Sequence, residues 1–412
     1  MQLTSEEQEL LAGGRGRPVA WALDFQVRVG RFFGARRMIP ATSAHVAAEM
    51  GLLGDAGLSL VEQLAGEGAS VCIPSMTDPC SVDFDLCDVF GQPEHHVDKE
   101  RRLAAALARM GMMTVRSCIP YQTLSPPRFG EHLAWGDTGS VAFANSVVGA
   151  RSNFEGGPAA VAAALTGRVP EYGYHLTDRR RGTIVVEVHD RLAESSDWGA
   201  LGCWIGRQIT DYWQVPVITG HDLAPTVDDL KHLAAALASY GSFPMFHVVG
   251  ITPEAATVEE ATHGRAPATT LAAGPGEIAR VYASFRLSRP EVDLVVFSAP
   301  QLSLIEVQTI VNRLAGQRAH ERTRLILTVD HAVSAESRRL GYTAAIERAR
   351  GLVVSGVCFY VMTPDWLRER HGYRRIVTNS AKLANIIEGY GYEPALRPLD
   401  ACINAAVAGR LS

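Results

Sequence analysis

Short apolar runs alternate with amphipathic stretches along most of this chain, and this alternation constrains its fold more than any other feature. Thr183–Val188, Val292–Phe297 and Arg324–Val329 have the β-branched, apolar character of buried strands. Asp228–Tyr240 has the apolar spacing of a helix, and Gly241 follows it as a typical helix end. Strands that alternate with helices form parallel sheets covered by helices. The pattern therefore predicts an α/β protein.

Several of the predicted elements place cysteines or polar residues at strand ends. Lys99–Met110 is predicted to be a helix, and Met112–Cys118 the strand that follows it. Ala335–Arg350 and Leu352–Cys358 repeat this order, and Arg375–Thr378 is a short strand that ends at Asn379-Ser380. Ligand sites in open α/β sheets gather at the carboxyl ends of strands. The two cysteines that end these strands are therefore candidate site residues.

The length of 412 residues exceeds that of one average domain, so we expect several α/β layers that share a cleft. The predicted division is an N-terminal segment packed on the core (1–72), a layer with Cys118 and the Arg151 loop (73–180), a middle layer (181–290) and a C-terminal layer with Cys358 and Cys402 (291–412).

Charge and hydropathy exclude two classes of partner. The formal net charge is −5, so no basic surplus indicates binding to nucleic acid or to an anionic membrane. No apolar run approaches the ~18 residues of a membrane-spanning helix. The N-terminus has neither the basic start nor the apolar core of a secretory signal. These features predict a cytoplasmic protein.

Seven widely spaced cysteines argue against a disulfide framework and leave a metal site open. Cys118 and Cys358 end predicted strands, and Cys402 opens the predicted last helix, whose N-terminus favours a thiolate. Three thiolates can hold an iron–sulfur cluster with one iron open to substrate. An alternative metal set, with zinc-like spacing but no Cys-x2-Cys pair, is Cys80, Cys87, His95 and His96.

Two polar turns are candidate anion sites. Arg151 precedes Gly156-Gly157-Pro158, where the backbone can approach a ligand and a helix can begin. The alternative is a tight loop whose arginine pairs with a structural acid. Lys382 lies in the first turn of the helix after Ser380, where a cation opposes the helix dipole, although a capping serine also explains the turn. Gly274-Pro275-Gly276 matches a dinucleotide fingerprint formally, but its proline and the poor strand before it indicate an ordinary helix start.

These segments, in this order, resemble the large subunit of aconitase X enzymes. The matching segments are Leu3-Thr4 with Glu6-Glu7, Ile39-Pro40 with Ser43-Ala44-His45, Gly54–Gly57, Cys118–Tyr121, Phe129–Trp135, Phe143–Ser146, Gly149–Asn153, Glu155–Pro158, Thr378–Lys382 and Leu399–Cys402. The resemblance implies aconitase-like multi-layer α/β/α domains around a central cleft. It also implies an iron–sulfur cluster ([2Fe-2S] or similar) or a mononuclear iron, and a separate small swivel-domain subunit as partner.

The resemblance assigns roles to individual residues. Cys118, Cys358 and Cys402 are the expected iron ligands, and Lys382 and Ser380 the expected catalytic residues. The expected substrate-binding residues are Ser43, Asp55, Ser140, Asn145, Arg151, Asn153 and Glu155. Iron would act as a Lewis acid on the leaving hydroxyl, and a serine of the small partner would be the base.

The implied activity is that of a hydro-lyase acting on a small hydroxy-carboxylate, with cis-3-hydroxy-L-proline as the expected substrate and pyrroline-2-carboxylate as the product. The chain departs from the family pattern at Asp137-Thr138-Gly139, Gln301 and Gly356, and archaeal members have a cysteine where Ala299 stands. Three alternatives therefore stay open: a lyase or isomerase of secondary metabolism acting on another small acid, a phosphomevalonate dehydratase, and a non-catalytic large subunit.

Overall fold

The computed structural model describes residues 1–411 and divides into three α/β units. The N-terminal unit contains helices α1 (Ser5–Leu11), α2 (Arg17–Phe32), α3 (Met50–Gly66), α4 (Cys87–Phe90), α5 (Glu94–Arg109), α6 (Pro120–Thr123), α7 (Thr138–Phe143) and α8 (Gly157–Thr166), with a π-helix (Ala144–Val148) and 3₁₀ turns (Gly173–His175 and Thr177–Arg180). Its strands are β1 (Met38–Pro40), β2 (Ala44–Val46), β3 (Ser75–Thr77), β4 (Ala134–Trp135) and β5 (Arg168–Pro170).

The N-terminal unit spans the predicted boundary at residue 72. Its three-stranded parallel sheet has the order β3-β2-β4, and β1 pairs antiparallel with β5. Strand β2 comes from the predicted 1–72 segment, whereas β3 and β4 come from the predicted 73–180 layer. One sheet therefore joins the predicted 1–72 segment to the predicted 73–180 layer.

The middle unit is a parallel sheet of order β8-β7-β6-β9. Its elements are β6 (Ile184–Val188), α9 (Ser195–Gln208), β7 (Pro216–Gly220), α10 (Val227–Gly241), β8 (His247–Val248), α11 (Val258–Ala261), β9 (Thr269–Ala273) and α12 (Glu277–Ser284). Chain order reverses between β6 and β9, where ligands bind in doubly wound folds. Here Asp190 lies at this crevice and accepts hydrogen bonds from the Gly276 amide (2.7 Å) and the Ile278 amide (3.0 Å).

The C-terminal unit is a five-stranded parallel sheet of order β12-β11-β10-β13-β14, with chain order reversed between β10 and β13. Its elements are β10 (Leu294–Phe297), α13 (Leu304–Leu314), β11 (Arg324–Val329), α14 (His331–Arg339), α15 (Tyr342–Arg348), β12 (Gly351–Ser355), a 3₁₀ turn (Phe359–Val361), α16 (Pro364–His371), β13 (Arg375–Thr378), α17 (Ala381–Glu388), β14 (Glu393–Leu396) and α18 (Leu399–Ala408).

The α/β fold class predicted from the sequence is confirmed, and most predicted elements lie within a few residues of the observed ones. Two predictions were wrong. Met112–Cys118 is not a strand, because only Met113 makes a bridge, to Met76, and the chain then turns at Arg116, whose φ is 52°. The single helix predicted over Ala335–Arg350 is two helices, because Gly341 has a φ of 77°, outside the helical range.

No helix within residues 1–411 combines the length and the apolar character that a membrane crossing requires.

Candidate active site

A pocket lies where the carboxyl ends of strands from the N-terminal and C-terminal units face each other. We call it the central pocket. Its lining residues are Glu49, Leu52, Asp78, Pro79, Cys118, Tyr121, Asp137, Gly139, Ala299, Pro300, Cys358, Tyr360, Val361 and Lys382. Parallel strands place their following loops at one edge of a sheet, so two sheets that face each other bring these loops together.

The C-terminal unit contributes its topological switch point to this pocket. Ala299 follows β10, and Ser380 and Lys382 follow β13, the neighbouring strand across the reversal of chain order. The Ser380 hydroxyl donates a hydrogen bond to the Ala299 carbonyl and accepts one from the Leu383 amide (3.1 Å), so it caps α17. Ser380 therefore joins the two strand ends and fixes the helix turn that carries Lys382.

The N-terminal unit contributes three carboxyl side chains from the ends of its own sheet. Glu49 follows β2, Asp78 follows β3 and Asp137 follows β4. Asp137 also caps α7, because its Oδ2 accepts a hydrogen bond from the Ser140 amide at 2.7 Å. Each of these acids lies within three residues of its strand, so the sheet holds all three close together.

The Lys382 ammonium forms a buried ion pair with Asp137, with 3.2 Å between Nζ and Oδ1. Burial would lower the pKa of Lys382, but the charge of Asp137 and the nearby thiols raise it above its usual value. Burial would likewise raise the pKa of Asp137, but Lys382 holds it below its usual value. Both groups are therefore charged at neutral pH. Lys382 is the one cationic residue among the described residues that line the pocket.

Neither Glu49 nor Asp78 forms an ion pair with a lysine or arginine among the described residues. Burial, together with the charge of Glu100, raises the pKa of Glu49 to about 8. Burial and the charge of Asp137 raise the pKa of Asp78 well above its usual value. One oxygen of each carboxyl group is buried without a hydrogen-bond partner among the described residues. The pocket therefore contains one carboxylate that Lys382 keeps ionised and two carboxyl groups whose pKa values are raised.

Only two of the three predicted cysteines lie in the pocket. Cys118 and Cys358 line the pocket, and both contact the segment that follows β10. The Gln301 amide nitrogen lies 3.3 Å from the Cys118 Sγ, and the Ser298 Oγ lies 3.6 Å from the Cys358 Sγ. Cys402 is not a lining residue, and its thiol donates to the Arg397 carbonyl at 3.4 Å. Ala299, which lies between Ser298 and Gln301 in the chain, also lines the pocket.

The donor set of the central pocket differs from that of the predicted iron centre. Within residues 1–411, no group of three or more His, Cys, Asp or Glu side chains is arranged to hold a metal ion. Burial raises the pKa of Cys358 to about 12 and that of Cys118 well above its usual value, so a metal ion that bound here would have to displace both thiol protons. Two protonated thiols beside a lysine ammonium do not fit a three-thiolate iron–sulfur cluster.

The alternative zinc set is not assembled either. The Cys80 thiol donates to the Val82 carbonyl (2.9 Å) and the Gly356 carbonyl (3.2 Å). The Cys87 thiol contacts the Phe84 carbonyl at 3.7 Å. His96 Nε2 instead lies 2.8 Å from the hydroxyl of Ser81. These contacts satisfy the side chains locally and leave no shared coordination point.

Gln301, one of the positions that depart from the family pattern, ties the two halves of the site together. Its Oε1 accepts a hydrogen bond from the Cys118 amide at 2.9 Å. Its Nε2 donates to the carbonyls of Arg116 (3.1 Å) and Val357 (3.1 Å). The side chain is fully buried. Gln301 therefore fixes the position of Cys118 against the C-terminal sheet.

Two of the predicted substrate-binding residues support the pocket from behind. The Ser43 Oγ accepts a hydrogen bond from the Trp135 indole at 3.0 Å, and the Ser140 Oγ donates to the Cys118 carbonyl at 2.7 Å. Both serines are buried and neither lines the pocket. Their contacts hold β4 and the Cys118 loop in place.

The other predicted substrate-binding residues lie outside the pocket. Asp55 is exposed on α3 and pairs with Lys99 at 2.7 Å. Arg151 donates to the His175 carbonyl at 2.9 Å and to the Thr177 hydroxyl at 3.1 Å. The Asn145 amide group donates to the carbonyls of Ser152 (2.9 Å) and Pro244 (2.8 Å). The Arg151 loop is therefore held by backbone and side-chain hydrogen bonds and does not face the central pocket.

Asn153 and Glu155 continue this loop into the protein interior. The Asn153 side chain donates to the Tyr172 carbonyl at 3.2 Å and accepts from the Tyr174 amide at 3.0 Å. Glu155 is fully buried, and burial raises its pKa to about 7. Neither residue lines the central pocket.

Sequence reasoning did not select Glu49 or Asp78 as site residues. The available signal was positional. Glu49 follows the recognised segment Ser43-Ala44-His45 within a few residues, whereas no recognised segment lies next to Asp78. Asp137 was noted only as a departure from the family pattern. Its pairing with Lys382 depends on two sheets that meet in space, which spacing along the chain does not show.

Comparison with known proteins identifies the family. Three aconitase X domain families match in order: the first domain over residues 1–178, the second over 182–283 and the third over 292–408. The predicted divisions at 180/181 and 290/291 lie close to these junctions. The crystal structure of Thermococcus kodakaraensis aconitase X (holo-form) superposes with a TM-score of 0.89 and 31% sequence identity, covering 98% of this chain and 100% of that one.

Relatives with assigned activities are all dehydratases. The phosphomevalonate dehydratase large subunit of Methanothermobacter thermautotrophicus is 35% identical over 388 residues, which are 94% of this chain and 94% of that protein. The cis-3-hydroxy-L-proline dehydratase of Pseudomonas aeruginosa is 32% identical over 413 residues, which are 99% of this chain and 70% of that protein. The chain therefore belongs to the aconitase X family and is a hydro-lyase.

Proposed function

We propose that this chain dehydrates a small amino acid of the hydroxyproline type, with cis-3-hydroxy-L-proline as substrate and pyrroline-2-carboxylate as product. The observation that carries the proposal is the charge arrangement of the central pocket, in which a single ammonium, Lys382, faces three carboxyl groups. A zwitterionic substrate matches this arrangement, because its carboxylate can bind the ammonium while its ring ammonium is accepted by a carboxylate.

Lys382 has a direct role in the elimination. Removal of the proton beside the substrate carboxylate places negative charge on that carboxylate. A fixed, buried ammonium at this point stabilises the charge more strongly than water does. Asp137 holds Lys382 in place, and its own charge remains available to the substrate ring nitrogen. The oxygen on the neighbouring carbon then leaves as water.

The proposal includes a small partner subunit that supplies the base and closes the pocket. Relatives such as the Methanothermobacter thermautotrophicus protein are named large subunits, and the hydroxyproline dehydratase relative is longer than the region that this chain matches. A dehydratase site must exclude water while the carbanion-like state forms, and closure by a second body does so. The predicted iron–sulfur cluster or mononuclear iron is not part of the proposal, because the pocket offers two protonated thiols and no third cysteine.

Phosphomevalonate dehydration is the second candidate, favoured by the end-to-end match to several large subunits of that name, including the one of Thermococcus kodakarensis at 32% identity over 98% of this chain. The pocket charges argue against it. A phosphate ester carries about −1.5 to −2 charges near neutral pH in addition to the carboxylate. One lysine among three carboxyl groups leaves that phosphate without the several donors that it normally requires.

The test is co-expression of the chain with a small-domain subunit of the aconitase X type, followed by assay of the purified pair on both compounds. We expect the pair to convert cis-3-hydroxy-L-proline, with the product detected by nuclear magnetic resonance. We expect no turnover of phosphomevalonate. Lys382→Met should abolish turnover. Turnover of phosphomevalonate alone would reverse the substrate assignment, and inactivity on both would overturn the proposal.

A further inference from the structure

Glu49 has the geometry of a group that acts on a ligand. It is the residue before α3, and its Oε2 accepts a hydrogen bond from the Gly51 amide at 2.5 Å. The other oxygen, Oε1, is buried without a hydrogen-bond partner among the described residues, and the residue lines the central pocket with only 2% of its surface exposed. One oxygen therefore fixes the carboxyl group while the other stays available in the pocket wall.

A purely structural role does not account for this arrangement. Capping a helix requires one side-chain oxygen, which serine, threonine, asparagine or aspartate supplies without a long side chain in the pocket. A buried polar oxygen without a partner costs about 1–3 kcal/mol. The charge of Glu100 adds to this cost, and Glu49 forms no ion pair with a lysine or arginine among the described residues.

The three carboxyl groups of the pocket differ in their protonation. Lys382 keeps Asp137 ionised, whereas burial and the charge of Asp137 raise the pKa of Asp78 well above its usual value. Burial and Glu100 place the pKa of Glu49 at about 8, so this group can both release and recover a proton near neutral pH. Carboxyl groups whose environments separate their pKa values divide the acid and base roles between them.

We propose that Glu49 is the catalytic acid that protonates the departing hydroxyl group. The inference rests on the proposed dehydration. As the base takes the proton beside the substrate carboxylate, the carbon–oxygen bond breaks and its electron pair stays on oxygen. The Glu49 proton forms the new O–H bond, so water leaves and Glu49 becomes a carboxylate. Solvent returns the proton after the product departs.

Glu49→Gln in the assembled large and small subunits tests this role, because glutamine can still accept the Gly51 hydrogen bond but has no acidic proton. The matched control is Glu62→Gln, the same change on the same helix at a surface residue that pairs with Arg102 at 2.8 Å. We expect Glu49→Gln to lower kcat on cis-3-hydroxy-L-proline by about 10²–10⁴-fold, with KM little changed. Glu62→Gln should match the wild type.

A leaving-group comparison separates proton donation from a structural role. With chloride in place of the hydroxyl group in the same substrate, departure requires no proton, so Glu49→Gln should eliminate chloride at nearly the wild-type rate. Equal losses on both substrates, or full retention of hydroxyproline turnover, would overturn the assignment. If the wild-type pair eliminates from neither compound, the dehydration proposal itself fails.

The proton on Glu49 can also be observed without any substrate. Infrared difference spectra of the large subunit should show a protonated carboxyl band at neutral pH that disappears as the pH rises through about 8 and is missing in Glu49→Gln. The Glu62→Gln spectrum should retain the band. A Glu49 that is already ionised at neutral pH could not be the donor, and that result would overturn the proposal whatever the substrate.

Discussion

Lys382 Nζ lies 3.2 Å from Asp137 Oδ1, although the two residues are 245 positions apart in the chain. Asp137 follows β4 of the N-terminal sheet, and Lys382 follows β13 of the C-terminal sheet. The side chains of both residues are buried. It therefore joins two units of the protein at the point where the substrate carboxylate is proposed to bind.

Removing one partner of this pair should destabilise the protein strongly, because the remaining charge is buried without compensation. We expect Asp137→Asn or Lys382→Met to lower the free energy of unfolding by about 3–5 kcal/mol. The double variant should recover most of that stability and remain inactive, since it lacks the ammonium. Urea unfolding measures the first effect and substrate turnover the second. A double variant as unstable as the singles would contradict the pairing.

Protonation of Glu155 should make stability depend on pH. Burial raises its pKa from 4.5 to about 7. Below pH 4.5 both the folded and the unfolded state hold the proton, and the contribution is fully present. Between pH 4.5 and pH 7 only the folded state keeps it, so Glu155 alone should lower the free energy of unfolding by about 1.4 kcal/mol per pH unit.

Glu155→Gln should reduce this slope, since glutamine does not titrate. The difference in unfolding free energy between pH 4.5 and pH 7 should therefore be smaller in this variant than in the wild type. Chemical unfolding across the pH range measures the slope. Glu9→Gln, at an exposed position of α1, serves as the control and should leave the slope as it is in the wild type. An identical slope in Glu155→Gln would show that the group titrates normally.

Ala299→Cys should add a third thiol to the central pocket and increase its capacity to hold iron. Ala299 lines the pocket and lies in the chain between Ser298, which contacts the Cys358 thiol, and Gln301, which contacts the Cys118 thiol. A third thiol there completes a set that can hold an iron–sulfur cluster. After anaerobic reconstitution, we expect higher iron and sulfide content in this variant than in the wild type or in Ala401→Cys, which adds a thiol beside Cys402. Stoichiometric iron and sulfide in the wild type would contradict the prediction.

Arg151→Ala should affect stability and not substrate affinity. Its guanidinium donates to the His175 carbonyl and the Thr177 hydroxyl, away from the central pocket. Loss of these contacts should cost about 1–2 kcal/mol of unfolding free energy, with KM unchanged in the assembled enzyme. A large increase in KM at wild-type stability would return Arg151 to the substrate site, as the sequence first indicated.

The sequence predicted the fold class and part of the pocket for a definite physical reason. Alternating strands and helices produce parallel sheets, and Lys382, Ser380 and Cys358 follow strands whose apolar pattern is clear. Cys118 was selected through a strand that does not form, yet its loop still lies at the same edge. The selection of pocket residues from strand ends therefore did not depend on every strand being correct.

The remaining errors arise from information that a linear pattern lacks. Cys402 was correctly placed near the start of the last helix, but at the fourth residue of α18 its side chain is fully buried and contacts the Arg397 carbonyl. Glu49 and Asp78 were missed because the order of strands in a sheet decides which loops become neighbours. The Arg151 loop has the composition of an anion site, but the two 3₁₀ turns after β5 supply the acceptors of this arginine.

The Asp190 carboxylate lies on the amides of Gly276 and Ile278, in the crevice of the middle sheet where a doubly wound fold would hold a phosphate. The protein thus supplies its own anion to the one segment that resembles a dinucleotide fingerprint. Replacing Asp190 by a neutral residue would leave the amides of Gly276 and Ile278 without this carboxylate. Both amides would then be open to an anion from solvent.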